Sequence, residues 1–259
     1  MKISAVIITL DEEDRLPDAL ASLAGVVDEV VVVDSYSRDG TAAVAEKAGA
    51  RVVQNRFEDY GQQKNFALAQ AAHEWVLNID ADERLSPELR QAIVGLKEKG
   101  AAPGTSAFAI QRRTWYLGRW IRHSGWTPDR KIRLFRKSAS SWQGRVHERL
   151  NVDGAVASLP GALLHFTYRD IGDHLRRIDR YSTLQAVQIA AQGQRALLAR
   201  ALFLPPFTFA RHYLAKLGFL DGFPGLVISL LSSWATALKY LKARETNRSR
   251  DENPPSRLG

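Results

Sequence analysis

The 259-residue sequence contains no cysteine. That excludes a disulfide framework, a thiolate metal site and a cysteine nucleophile, so any metal must be held by carboxylates, histidines or substrate. The sequence also lacks an apolar run of the roughly 20 residues needed to cross a bilayer. Its best candidate, the uncharged stretch Gly222 to Leu238, falls short and carries an early proline and glycines. No internal repeat is evident. At the N-terminus, Met1-Lys2 leads into Ile3 to Leu10, acidic residues follow at once, and no small-residue cleavage site appears. This predicts a strand rather than a signal peptide, and with it a cytoplasmic location.

What is present is an ordinary globular composition, 45% hydrophobic and 25% charged, with a formal net charge of +8. Such a balance argues against wholesale disorder. The positive excess would suit nucleic acid, anionic lipid or a phosphorylated substrate. Much of it falls between Arg112 and Lys137. No aromatic-basic motif of the common RNA modules is found, so no nucleic-acid partner is expected.

Short apolar runs alternate with helical patterns through the first hundred residues, from Ile3–Thr9 to Trp75–Asp80. Alternation of this kind predicts an α/β fold with a mainly parallel central sheet covered on both faces. Ligands of such sheets bind beyond the carboxyl ends of the strands. The predicted strands end there in Thr9, Asp34 and Asp80. Ser86-Pro87-Glu88 reads as a cap and first turn, which predicts a helix to about Lys99. The stretch 107–158, rich in Trp, Arg and Gly, reads as a binding lobe of short strands and loops.

From about Asp170 the pattern is helical, punctuated by Pro205-Pro206 and by Gly222 to Gly225. The predicted organisation is 1–105 for one half of the α/β domain, 106–170 for a second half, 171–243 for a helical region and 244–259 for a disordered tail. Gly222–Leu238 reads either as an interfacial segment, with Arg211, His212, Lys216, Lys239, Lys242 and Arg244 near lipid phosphates, or as a hairpin of buried core helices.

The stretch Trp75 to Glu83 places Asp80-Ala81-Asp82-Glu83 at the end of a buried strand. Such acids repel one another unless a cation or hydrogen-bond donors offset their charge. Carboxylate oxygens suit Mg2+ or Mn2+, which complete their shells with water and phosphate oxygens. An isolated Asp-x-Asp also caps a following turn, so the context matters. Here the context is a second acidic strand end, Asp34 to Thr41, and a first one at Thr9-Leu10-Asp11-Glu12-Glu13.

In order and spacing these three motifs resemble the family 2 glycosyltransferases, inverting enzymes with the nucleotide-sugar-binding GT-A fold. Where that family usually carries Thr-x-Asn-Glu, this sequence has Asp11 in place of the amide. Ser124 to Asp129, Arg133 to Arg136, Trp142 to Glu148, His165 to Tyr168 and Gly218 to Gly222 narrow the resemblance. They are similar to the branch of bacterial lipopolysaccharide core glucosyltransferases, over nearly the whole chain.

The resemblance implies UDP-glucose as donor and a lipid-linked core oligosaccharide, through a heptose, as acceptor. It also implies work at the inner-membrane surface on the cytoplasmic side. It makes Asp34 a partner of the uracil ring and Thr9 and Glu12 walls of the nucleoside pocket. Asp80 falls near the ribose, and Asp82 on a Mg2+ or Mn2+ ion, with His165 as a further metal ligand and His147 as an alternative one. From its chemistry Lys64, in a Lys-Asn pair common in the family, could approach a phosphate, and Asp39 could cap the helix near Thr41. Arg133, with Arg130 and Arg136, could hold phosphates or carboxylates by bidentate contacts.

An inverting transfer needs a base for the acceptor hydroxyl. The resemblance makes Glu148 the candidate, since it follows the donor motif at the place where this superfamily carries its catalytic acid, and Asp129 is the second. A polyprenyl-phosphate sugar synthase, sharing the donor half, and a non-catalytic basic membrane- or RNA-binding module are the competing functions.

Overall fold

The first strand, β1 (Ile3–Thr9), is buried along almost its whole length. It is the near-continuous apolar pattern of a parallel strand covered on both faces. In the computed structural model, which describes residues 1–144, 148–193 and 195–251, β1 is followed by α1 (Leu16–Leu23), β2 (Glu29–Asp34), α2 (Thr41–Lys47), β3 (Arg51–Gln54), α3 (Tyr60–Gln70), β4 (Trp75–Asn78) and β5 (Glu83–Leu85). Next come α4 (Pro87–Lys99), β6 (Thr105–Tyr116), β7 (Arg119–Ile121), β8 (Asp129–Arg136), β9 (Ser140–Gln143), β10 (Arg149–Val152) and β11 (Ala155–His165). Then follow α5 (Ile171–Ala191), α6 (Leu197–Ala210) and α7 (Gly222–Asp251).

The strand order is β3-β2-β1-β4-β8-β6-β11-β5. β1, β2, β3 and β4 pair in parallel, in the half where strands and helices alternate. β8 joins antiparallel to β4, and β5 antiparallel to β11. Alternate residues enter opposite layers, as the period of two requires. Ile3, Ala5 and Ile7 meet α1 and α4 residues such as Leu16 and Leu89, whereas Val6, Val31 and Val76 meet Ala67 and Leu68 of α3. α4 starts as predicted, with Ser86 Oγ accepting from the Leu89 N–H at 3.2 Å.

Two units do not follow chain order. One holds residues Met1–Arg113 and Asp129–Phe166, the other Thr114–Pro128 and Thr167–Gly259. In the second unit Tyr116 and Ile121 pack with Val227 and Ile228 of α7. The tip of the β6–β7 hairpin therefore belongs with the terminal helices, not with the lobe expected over 106–170.

Three local expectations change. β4 ends at Asn78 rather than Asp80, although the Ile79 N–H still bonds to Val6 O. Pro205 and Pro206 lie inside α6 rather than ending it. The carbonyl of Pro205 is met by Ser233 Oγ at 2.9 Å, and a wider π-helical turn follows at Arg211–Ala215, an adjustment that lets the chain continue past missing donors. α7 continues through Asp251, into the tail expected to be disordered. Between Arg244 and Asp251 no proline or glycine interrupts it.

Within the second unit His174 is buried, and its Nδ1 lies 2.8 Å from the Tyr116 hydroxyl. Burial holds the imidazole down to about 4, against an opposing pull from Asp173. The unfolded chain therefore takes up this proton first as pH falls. The stability present above pH 6.5 is lost between 6.5 and 4, by up to about 3 kcal/mol. In urea denaturation followed by circular dichroism, His174→Gln is expected to flatten that part of the stability profile.

Candidate functional site

The loops after β1 and β2 are tied together. The Thr9 hydroxyl donates to Asp34 Oδ1 at 3.1 Å across their parallel register. The Ser37 N–H reaches Asp34 Oδ2 at 2.9 Å. Asp34 is fully buried, so its orientation is fixed before any ligand arrives. Asp11 has a positive φ of 54°, and its Oδ1 accepts from the Arg38 N–H at 2.8 Å. Asp and Asn both tolerate that conformation and both offer this oxygen. The replacement of the usual amide thus keeps its structural role. Asp39 does not cap α2, whose N-cap residue is Gly40; its Oδ1 instead accepts from the Thr41 N–H at 3.0 Å in the turn before the helix. The Glu12 N–H donates to Thr41 Oγ1 at 2.8 Å, and the Glu12 carboxylate lies 3.6 Å from Arg15.

At the end of β4 the acids are compensated from within the fold. Arg133 Nη2 lies 2.6 Å from Asp80 Oδ2 and 2.7 Å from Glu83 Oε1, and its Nη1 lies 3.1 Å from Asn78 Oδ1. Glu83 also takes the Asp80 N–H at 3.0 Å. Burial opposes ionisation of Asp80, yet Arg133 and then Lys64 outweigh it and hold the carboxyl well below the usual range. For Glu83 burial wins over Arg133, with Asp80 adding to it, and the carboxyl is raised. Arg133 thus makes its contacts to carboxylates within the fold. Most of its fork is committed to Asn78, Asp80 and Glu83, while its buried Nε has no protein partner.

Lys64, nine-tenths buried or more, joins this cluster to the later chain. Its Nζ is 2.7 Å from Glu148 Oε1, 3.9 Å from Asp80 Oδ1 and 4.5 Å from the centre of the Trp142 ring. The neighbouring Asn65 exchanges two 2.9 Å hydrogen bonds with the Trp142 backbone. A Cβ on Gly61 would collide with the Gly144 carbonyl, so α3 and the chain after β9 approach as only glycine permits. Asp129, the second candidate base, lies 2.7 Å from Arg112 on the paired strand and 3.4 Å from Lys131.

Antiparallel pairing sets His165 opposite Glu83, and the Phe166 N–H bonds to Asp82 O at 2.9 Å. His165 Nε2 comes to 3.5 Å from Asp82 Oδ2, with Arg15 at 4.0 Å from the same oxygen. An oxygen and an imidazole nitrogen at that spacing could share one divalent ion at about 2.1 Å from each. Among the described residues no group of three or more such side chains converges. A bound ion would thus draw most of its shell from diphosphate and water, as Mg2+ usually does. His147 lies outside the described residues.

Thr9 and Asp34 thus form one group, and Asp80, Lys64, Arg133 and Glu148 another, while Asp82 and His165 stand together beside Arg15. Sequence reasoning passed over Glu83, Asn78 and Arg15. Glu83 was visible as the last acid of the cluster, but its partner is 50 residues away. The signal for Arg15, a basic residue just after an acidic strand end, was weak.

A family model described as Glycosyl transferase family 2 matches residues 4–147. The lipopolysaccharide core biosynthesis glycosyltransferase LpsC of Rhizobium meliloti is 33% identical, covering 94% of this chain and 95% of that protein. An uncharacterized glycosyltransferase of Rickettsia typhi is 31% identical, covering 94% and 87%. Among solved structures, glucosyl-3-phosphoglycerate synthase from Mycobacterium tuberculosis, in complex with Mn2+ and UDP-glucose, is 27% identical. It overlaps with a TM-score of 0.36 and covers 45% of this chain and 44% of that one.

Removing one partner of a buried ion pair leaves the other charge uncompensated and costs about 3–5 kcal/mol. Arg133→Met is expected to destabilise the protein by that order in urea denaturation. Combining it with Glu83→Gln should recover part of the loss, and two additive losses would show that the pair is not coupled.

Proposed function

This chain belongs to glycosyl transferase family 2, and from that membership we propose that it is an inverting enzyme that transfers glucose from UDP-glucose to a heptose of a lipopolysaccharide inner core. One observation carries the reading. Lys64 stands between Asp80, at the carboxyl end of a parallel strand, and Glu148, the carboxylate that the family resemblance makes the candidate base. The lipopolysaccharide acceptor is supported by a relative of that name aligned along nearly the full length of both chains. The work would take place at the cytoplasmic face of the inner membrane, where such an acceptor is embedded.

Asp34, fixed by Thr9 and Ser37, accepts an N–H of the uracil ring. Thr9 and Glu12 line the nucleoside pocket, and Asp80, oriented by Arg133, meets the ribose. Lys64 faces the phosphates. Asp82 and His165 are the protein ligands of a divalent ion, which when bound offsets the charge that builds on the departing diphosphate.

Lys64 holds Glu148 by Oε1, and we assign Oε2 to the acceptor hydroxyl. Glu148 takes the hydroxyl proton as the acceptor oxygen bonds to the anomeric carbon. The bond from that carbon to the diphosphate breaks on the opposite side, which inverts the configuration. General-base catalysis of this kind contributes about 10²–10⁴-fold.

Glu148→Gln should therefore lose turnover by about that factor while UDP affinity is kept. Retained turnover would favour a lipid-phosphate acceptor, whose oxygen needs no base. Asp82→Asn should abolish the metal-dependent part of UDP binding measured by calorimetry with Mg2+ or Mn2+. Released nucleotide and product mass, followed over a panel of UDP-, GDP- and ADP-sugars with truncated core lipids, test the substrates. Absence of turnover with every UDP-sugar would reject the donor.

A further inference from the structure

The second unit contains an exposed apolar tip with a positively charged rim. The 3-10 turn Gly218–Asp221 leads into α7. Phe219, Leu220 and Phe223 there are 46%, 50% and 63% exposed. In contrast, Val227, Ile228 and Ser229 of α7 are buried. Exposed apolar side chains thus cluster at the turn and the first residues of α7, and others, such as Phe203 and Phe207 of α6, are exposed on the helices of the same unit.

Charge sorts in the same place. Over residues 114–128 and 201–238 the only acid is Asp221, and the cations are Arg119, Arg122, Arg211 and Lys216, all exposed. Asp221 is itself fully buried. Its Oδ1 accepts from the Arg122 N–H at 3.0 Å, and its Oδ2 from the His123 N–H at 2.9 Å and Ser124 Oγ at 3.0 Å. The Ser124 N–H in turn donates to Lys216 O at 2.9 Å, and His212 Nδ1 donates to Ser124 O at 2.7 Å.

The loop carrying Arg119 and Arg122 is thereby pinned to the apolar tip. A Cβ on Gly222 would sit 3.1 Å from Arg119 Nη1, which puts that guanidinium against the start of α7. A buried carboxylate that satisfies three donors fixes a loop more firmly than surface ion pairs do.

We propose that this tip, residues 211–223 with Arg119 and Arg122, is a docking site for an anionic lipid leaflet, with the phenylalanines entering the headgroup region and the cations meeting lipid phosphates. Apolar side chains rimmed by Lys and Arg bind at such interfaces by both contributions together. A second copy of the chain is disfavoured as occupant, because a symmetric contact would bring the same four cations face to face. The proposal rests on the lipid-linked acceptor for its purpose.

The test uses the full-length protein and sedimentation with vesicles of phosphatidylcholine alone or with 30% phosphatidylglycerol, in about 0.1 M salt. Binding is expected to the anionic vesicles and to be weaker by at least tenfold to the neutral ones. The exposed double variants Phe219→Ser/Phe223→Ser and Arg122→Glu/Lys216→Glu should each lower binding to anionic vesicles about tenfold or more. Metal-dependent UDP binding and turnover of a water-soluble, deacylated acceptor should stay at the wild-type level. Equal binding to both vesicle types, no binding to either, or a dimer by light scattering that Phe223→Ser dissociates would each overturn the docking site. Loss of UDP binding in the wild-type protein would instead strike at the glycosyltransferase site while leaving the vesicle result to stand.

Discussion

The first unit depends on how it keeps negative charge at the end of a buried strand. Asp80 and Glu83 follow β4, where burial opposes the ionisation of both, and only at Asp80 do the neighbouring cations outweigh it. Arg133, reaching in from β8, supplies the compensation, with Asn78 holding the other side of its guanidinium. Because β8 pairs with β4, the sheet must form before the charge is balanced. The same pairing orients Asp80 toward Lys64, and Lys64 carries the connection to Glu148. Fold and candidate site are therefore parts of one electrostatic arrangement.

The parallel-strand part of this arrangement was legible in the sequence. β1, β2 and β4 are apolar runs closed by polar residues, and both the parallel order and the position of Thr9, Asp34 and Asp80 follow from that pattern. Local chemistry was readable as well, as in the Ser86 cap and the Asp39 turn. The partnerships were not. Lys64 and Glu148 are 84 residues apart, and Arg122 and Asp221 are 99 apart. No periodicity encodes which of many basic residues meets which acid. For Arg133 the charge was visible in the sequence and the burial against Asp80 and Glu83 was not. The division of the chain into units was hidden for a related reason, since the β6–β7 hairpin tip follows its long-range contacts rather than its neighbours in sequence.

Family membership and physical reading meet most closely at Asp11 and at the Gly218–Gly222 motif. The first departs from the family's usual amide yet preserves the acceptor oxygen and the left-handed backbone that the loop requires. The second had no role assigned by sequence alone. Its Asp221 anchors a basic loop, and its glycines permit close approach, since a Cβ on Gly225 would strike the Gly218 carbonyl. Both are cases in which a motif serves the local backbone geometry of its own unit.

The pairing of β11 with β5 has a consequence for how this protein can vary. His165 meets Asp82 only because Leu163, Leu164 and His165 stand opposite Leu85, Arg84 and Glu83. Side chains alternate faces along a strand, so a single-residue insertion or deletion within β11 would turn His165 away without altering any site residue. Gly161 guards against such slippage. It has a positive φ of 86° and lies so close to the Leu89 backbone that no Cβ fits, and the next residue, Ala162, exchanges hydrogen bonds with Ser86. The stretch from Gly161 to His165 should therefore keep its count of residues even where their identities drift.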